Sequence, residues 1–142
     1  MAELKSLDEL IGRWRREGVK LLPPRDEREV VAALRRTGRP FARDLVGLYR
    51  ATGGMDDGCM DGECMTLWAL ERVAGENEAR AGAQLLFMDF LINSHAYGLR
   101  YEDAETSSVY VDYFGDRPPR RVADSLDEFF RLYLSDPLKL FL

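Results

Sequence analysis

The sequence predicts an α+β fold, with N-terminal helices, a mainly antiparallel sheet of about four to six strands, and a C-terminal helix packed on the sheet. The most hydrophobic segment, residues 84–101, alternates apolar side chains with a period of two, as a central strand and its hairpin partner do. Before it, apolar residues recur at helical spacing. Near the end, Ser125 and Glu128 form a capping box before another apolar helix. We expect the sheet to be centred on residues 84–101.

Size and composition limit the classes of function. The chain has 142 residues, 46% hydrophobic and 32% charged, which predicts one globular domain over residues 1–142. No apolar run approaches the ~18 residues of a spanning helix, and the N-terminus does not resemble a signal peptide. We therefore expect a cytoplasmic protein that does not associate with membranes. The net charge of −5 argues against nucleic-acid binding and suits a basic partner.

Three helices are predicted before the sheet. Leucines, an isoleucine and a tryptophan at three- and four-residue spacing predict an amphipathic helix over residues 3–16. A second helix begins at the N-cap Asp26 and ends near Gly38. A third begins at Pro40, and Thr52-Gly53-Gly54 ends it.

The central hairpin contains one charged residue where an apolar one is expected. A two-residue turn at Asn93-Ser94 would place Asp89 opposite Gly98, with Arg100 on the diagonal. A buried carboxylate must be neutralised or paired. We therefore expect Asp89 and Arg100 to form a structural polar pair, and we favour this interpretation over a pair in a binding groove.

The other elements follow from shorter patterns. Residues 65–68 predict a strand, residues 70–73 one helical turn, and residues 75–82 a polar loop. Beyond the hairpin, alternating apolar residues predict a strand over residues 108–114, and residues 120–123 a short edge strand.

Few residues suggest catalysis or metal binding. Cys59 and Cys64 share one glycine-rich loop, but a zinc site needs about four ligands and the only histidine, His95, lies in the hairpin. Free thiols are favoured, and we expect no metal and no cofactor. Ser94 beside His95 could suggest a nucleophile and a base, but adjacent side chains in a turn diverge. A structural turn is favoured, so no catalytic residue is assigned.

Two acidic loops are the candidate contacts for a partner. Their acids are Asp56, Asp57, Asp61, Glu63, Glu102, Asp103 and Glu105. The spacing in the first loop, residues 55–63, does not match an EF-hand, so a solvated loop is favoured over a cation site. Both loops can be ordinary solvated turns. Alternatively, they mimic phosphate and face the basic groove of a nuclease, where charge complementarity speeds association.

Several short motifs follow one another over about residues 20–135. They are Leu22-Pro23-Pro24, the helix Phe41 to Tyr49 with Thr52-Gly53-Gly54, Leu67-Trp68, Phe87-Met88-Asp89-Phe90, Ser94-His95-Ala96-Tyr97, and Asp124 to Phe130. Their order resembles the SUKH superfamily, the bacterial toxin-immunity proteins related to a fungal cell-wall synthesis regulator. The first helix and residues 55–63 match no fixed pattern of that family, so the partner can differ there.

The resemblance implies a single SUKH-like domain without catalytic residues. Members of the superfamily commonly bind and neutralise a cognate toxin, often a nuclease, that a neighbouring cell delivers. We expect an intracellular immunity protein that acts by stoichiometric binding, as a monomer or weak homodimer. The alternative, suggested by the fungal relatives, is a non-catalytic interaction module in a regulatory or cell-envelope assembly pathway. An enzyme ranks third, because it would need a cleft that gathers Asp89, His95 and a loop acid.

Overall fold

The structure, a computed structural model, describes residues 4–141 and has an α+β fold, as predicted. Its helices are α1 Lys5–Arg16, α2 Glu27–Arg35, α3 Arg43–Ala51, α4 Leu70–Ala79, α5 Leu126–Ser135 and α6 Leu138–Phe141. Its strands are β1 Met65–Leu67, β2 Leu85–Phe90, β3 His95–Tyr101, β4 Ser107–Asp112 and β5 Arg120–Ala123. The strands form one antiparallel sheet in chain order. Within residues 4–141, no helix is both long and apolar enough to cross a membrane.

The core lies between the sheet and helix α5. Phe129 on α5 packs against Phe87 and Tyr97, with ring centroids 5.8 and 5.3 Å apart. Helix α1 also packs against α5, where Trp14 meets Tyr133 edge-on at 6.2 Å. Such buried aromatic pairs contribute large apolar areas and fix the angle between elements.

The helix caps confirm two of the predicted helix starts. Asp26 accepts a hydrogen bond from the N–H of Glu29 at 2.9 Å, and Ser125 accepts one from the N–H of Glu128 at 3.0 Å. These bonds satisfy amide groups that a helix leaves without partners in its first turn. Helix α3 begins at Arg43, three residues after the predicted start.

Helix α4 is longer than predicted, because the expected polar loop over residues 75–82 continues the helix as far as Ala79. The reason is tertiary. Asn77 is buried on α4 and exchanges two hydrogen bonds with the backbone of Leu86 in β2, at 2.7 and 2.8 Å. This contact fixes a helical segment that its glycine and polar residues favour only weakly.

The hairpin register also differs from the prediction. The loop between β2 and β3 spans residues 91–94, and Asp89 lies opposite Ala96 instead of Gly98. Three of the loop residues, Leu91 to Asn93, have positive φ angles of 46–63°, so the chain reverses over four residues rather than two. A bulge at Phe87 shifts the register once more.

The Gly53-Gly54 pair is required by close backbone packing. A Cβ atom on Gly53 would lie 2.4 Å from the carbonyl oxygen of Pro23. On Gly54, whose φ is 97°, it would lie 2.4 Å from the carbonyl oxygen of Trp68. The pair therefore fits between two other stretches of backbone and directs the chain into residues 55–63.

The outer edge of β1 is covered by that same segment. The N–H of Met55 donates to the carbonyl of Leu67, and the N–H of Asp61 to the carbonyl of Met65, both at 2.9 Å. Residues 55–61 thus lie along β1 and bond to the backbone carbonyls of β1 that face away from β2.

Candidate protein-interaction site

The sequence predicts Asp61 as an exposed acid of the first loop, but the structure buries its side chain. It is 7% exposed, and its carboxylate accepts hydrogen bonds from Trp14 Nε1 at 2.7 Å and from the Tyr133 hydroxyl. The backbone N–H groups of Glu63 and Met65 also donate to it, at 2.8 and 3.1 Å. Asp61 therefore joins the loop to α1 and α5 and is not accessible to a partner.

The predicted pair of Asp89 and Arg100 is wrong. Asp89 is 2% exposed, and its Oδ2 accepts from Trp68 Nε1 at 2.6 Å and from Arg72 at 3.2 Å. Arg100 instead lies over the ring of Tyr110, with its guanidinium carbon 4.2 Å from the ring centre. The changed hairpin register moves Arg100 away from the diagonal position.

A carboxylate-lined groove lies beside α4 and has a volume of about 660 Å³. Its charged lining comprises Asp56, Asp57, Glu71, Glu76 and Arg72. The two aspartates come from the first acidic loop, and the two glutamates come from α4. Four acids and one base therefore line the same concave surface, which attracts cationic groups.

The one arginine that lines the groove is already engaged. Arg72 pairs with the buried Asp89, and its guanidinium also lies 4.3 Å from the ring centre of Trp68. Its neighbour Glu71 accepts a hydrogen bond from Arg25, which lowers the pKa of Glu71 and keeps it ionised. The groove thus keeps an excess of negative charge.

A smaller cavity of about 130 Å³ continues from the groove towards the β2–β3 loop. Arg72 and Asp89 line it together with Met60 and Ile92. Met60 is 39% exposed and Ile92 is 78% exposed. An apolar surface therefore adjoins the acidic one, and we call the groove and this cavity together the α4 surface.

The second acidic loop, which contains Glu102, Asp103 and Glu105, does not line the α4 surface. Its Asp103 accepts hydrogen bonds from backbone N–H groups of its own turn, and Glu102 pairs with Arg121 at 3.5 Å. The N–H of Arg43 donates to the carbonyl of Ala104, which places this loop at the start of α3. The first loop follows the other end of α3, which has nine residues and is therefore about 13 Å long at 1.5 Å per residue. Glu105 is exposed with its loop, and the structure does not unite the two loops.

Ser94 and His95 make structural contacts. The Ser94 hydroxyl donates to the carbonyl of Leu91 at 3.0 Å. His95 stacks on Phe90 at 5.0 Å between ring centres, and its Nε2 lies 3.0 Å from the Tyr97 hydroxyl. The two side chains therefore have separate partners.

The two cysteines are free and half-buried. Among residues 4–141, no three side chains of His, Cys, Asp or Glu are arranged to hold a metal ion. The acids of residues 55–63 therefore act separately in this structure: Asp61 inside the fold, Asp56 and Asp57 at the groove, and Glu63 half-buried.

Sequence reasoning missed Glu71 and Glu76 as site residues, because the predicted helical turn over residues 70–73 contained Glu71 alone and the predicted loop over residues 75–82 contained Glu76. A signal was present. The residues that α4 buries, Leu70, Val73, Ala74 and Asn77, follow the three- and four-residue spacing of a helix. A helix over this segment would have placed both glutamates on its exposed side.

No family model matches the chain, and a search of curated proteins found no significant match. The function therefore has to be inferred from the α4 surface and the motif order.

Proposed function

We propose that this protein is an intracellular immunity protein that neutralises a cognate toxin by stoichiometric binding. The observation that carries the proposal is the carboxylate-lined groove beside α4. The α+β fold and the motif order that resembles the SUKH superfamily support it. In this proposal the protein blocks its partner and performs no chemistry on it.

Charge explains how such a groove would recognise a toxin. Nucleases bind phosphate backbones through lysine and arginine side chains. A concave surface lined by Asp56, Asp57, Glu71 and Glu76 offers carboxylates to the same cations. Electrostatic complementarity of this kind raises association rates and selects against partners of the wrong charge.

The groove is tested most directly through its two loop aspartates. In the double variant Asp56→Asn/Asp57→Asn, we expect at least about tenfold weaker binding to the toxin domain encoded beside the gene. The loss should fall mainly on the association rate and shrink at high salt, because screening weakens exposed charges. Stopped-flow kinetics and growth of cells that co-express the toxin measure both effects.

A matched control removes the same charge from another surface. Asp8 and Glu9 are exposed on the first turns of α1, and Asp8→Asn/Glu9→Gln should leave binding and protection unchanged. Equal losses in both double variants would show that net charge matters and the groove does not. Cells that die although the wild-type protein is present would instead favour the interaction-module alternative.

A further inference from the structure

The tip of the β2–β3 loop exposes two large apolar side chains to water. Ile92 is 78% exposed and its neighbour Leu91 is 46% exposed. An isoleucine in such a position buries little apolar area, so it contributes little to the stability of the fold. Its side chain is available for contact with another molecule.

The backbone at this tip is also unfavourable for isoleucine. Leu91, Ile92 and Asn93 have φ angles of 46°, 50° and 63°, in the left-handed region. Glycine and asparagine tolerate this region, whereas a β-branched side chain there is a rare outlier that costs free energy. Packing does not compensate at Ile92, so neither the core nor the turn accounts for an isoleucine at this position.

The loop is nevertheless held firmly. The N–H of Asn93 donates to Oδ1 of the buried Asp89 at 3.2 Å, and the N–H of Leu91 donates to the carbonyl of Cys64 at 3.0 Å. Asp89 is itself fixed by Trp68. A side chain presented on a fixed loop loses little conformational entropy on binding, which favours its use as an anchor.

The surroundings of Ile92 define the partner that fits. Met60 shares the wall of the 130 Å³ cavity with Ile92 and extends the apolar surface. Through Gly58, which lines both this cavity and the groove, the surface reaches Asp56 and Asp57. Protein interfaces commonly combine an apolar centre with a charged rim.

We propose that Ile92 is the anchor of the protein interface and inserts into an apolar pocket bordered by lysine or arginine on the partner. Asp56 and Asp57 of the adjoining groove select that border. This inference rests on the proposed function only for the identity of the partner as a toxin. Ile92 then contributes most of the binding free energy, although replacing it should not destabilise the fold.

The test compares stability with affinity in the same variants. Ile92→Asn and Ile92→Gly should keep or raise the thermal midpoint, because both residues suit a positive φ. The same variants should bind the purified toxin domain at least about tenfold more weakly in calorimetric titrations. Tyr101→Thr is the control: it removes another exposed large side chain, at the opposite end of β3, and should change neither quantity.

Each other outcome overturns the inference. Wild-type affinity in both Ile92 variants would remove the anchor while leaving the proposed function intact. Failure of the wild-type protein itself to bind the toxin would remove both. A lower thermal midpoint in both variants would show that Ile92 serves the fold. If the variants instead abolish a dimer of this chain in sedimentation experiments, the tip contacts a second copy.

Discussion

The carboxylate of Asp61 links segments that are far apart in the sequence. Trp14 on α1 and Tyr133 on α5 donate to one oxygen, and the backbone N–H of Met65 donates to the other. Burial, followed by the nearby negative charge, raises the pKa of Tyr133, so its hydroxyl remains a donor. A charged group buried in this way depends on all its partners.

Asp61→Asn should destabilise the protein strongly. An amide keeps one oxygen but turns its NH₂ group towards donors, which leaves buried N–H and O–H groups without acceptors. We expect the free energy of unfolding to fall by roughly 2–5 kcal/mol, measured by urea denaturation. The control is the exposed Asp57 in the same loop. Asp57→Asn should change the free energy of unfolding by no more than about 0.5 kcal/mol. Similar values for the two variants would contradict the structural role.

Nothing local in the sequence distinguishes Asp61 from Asp56 or Asp57. The three lie in one glycine-rich stretch, and the groups that bury Asp61 are 47 and 72 residues away in the chain. The composition of the loop could therefore indicate the two accessible acids but could not exclude the third. The same holds for Asp89, because its predicted partner depends on a two-residue turn and the loop has four residues.

Among the helices and strands, those whose ends are determined by interactions between residues close in the sequence were predicted correctly. The capped helices α2 and α5 and the edge strand β5 were predicted because caps, turns and spacing specify them over a few residues. The length of α4 and the loop after β2 depend on contacts with other elements. Asn77 holds α4 to β2, and no pattern within residues 75–82 shows that contact.

A substitution in α4 tests whether residues 75–79 are helical. Gly75 lies inside the helix, and a Cβ atom there would meet nothing within 4 Å. Gly75→Ala should therefore raise the free energy of unfolding by about 0.5–1 kcal/mol, since alanine is the better helix former. A loop over residues 75–82 would gain no such helix stabilisation, so an unchanged value in urea denaturation would contradict the helix.

Gly54→Ala is the opposite case and serves as the comparison. Its new methyl group would collide with the backbone at Trp68, and its φ is positive. We expect a loss of at least about 2 kcal/mol in the same experiment.

For the whole molecule, one histidine controls a part of the pH dependence of stability. Burial lowers the pKa of His95 below its ordinary value of 6.5, and the nearby Arg117 and Arg120 lower it further, while Asp89 opposes them. The unfolded chain therefore takes up the proton first as the pH falls. The free energy of unfolding should decrease as the pH drops below 6.5 and stop decreasing at the lower, folded-state pKa.

His95→Gln should remove this dependence, because glutamine does not titrate. Urea denaturation of both proteins above and below pH 6.5 gives the difference, and other groups contribute to both curves alike. A difference that grows in favour of the wild type as the pH falls would contradict the assigned direction.

The cover along the outer edge of β1 also limits how a partner can approach. Exposed strand edges invite β-augmentation, in which a partner peptide adds as an extra strand, and they promote aggregation. In this protein, residues 55–61 occupy that edge through Met55 and Asp61. The same segment then presents Asp56 and Asp57 to the groove. A loop that closes this edge of the sheet to backbone pairing thus directs recognition beside β1 to side chains, where sequence can specify one partner.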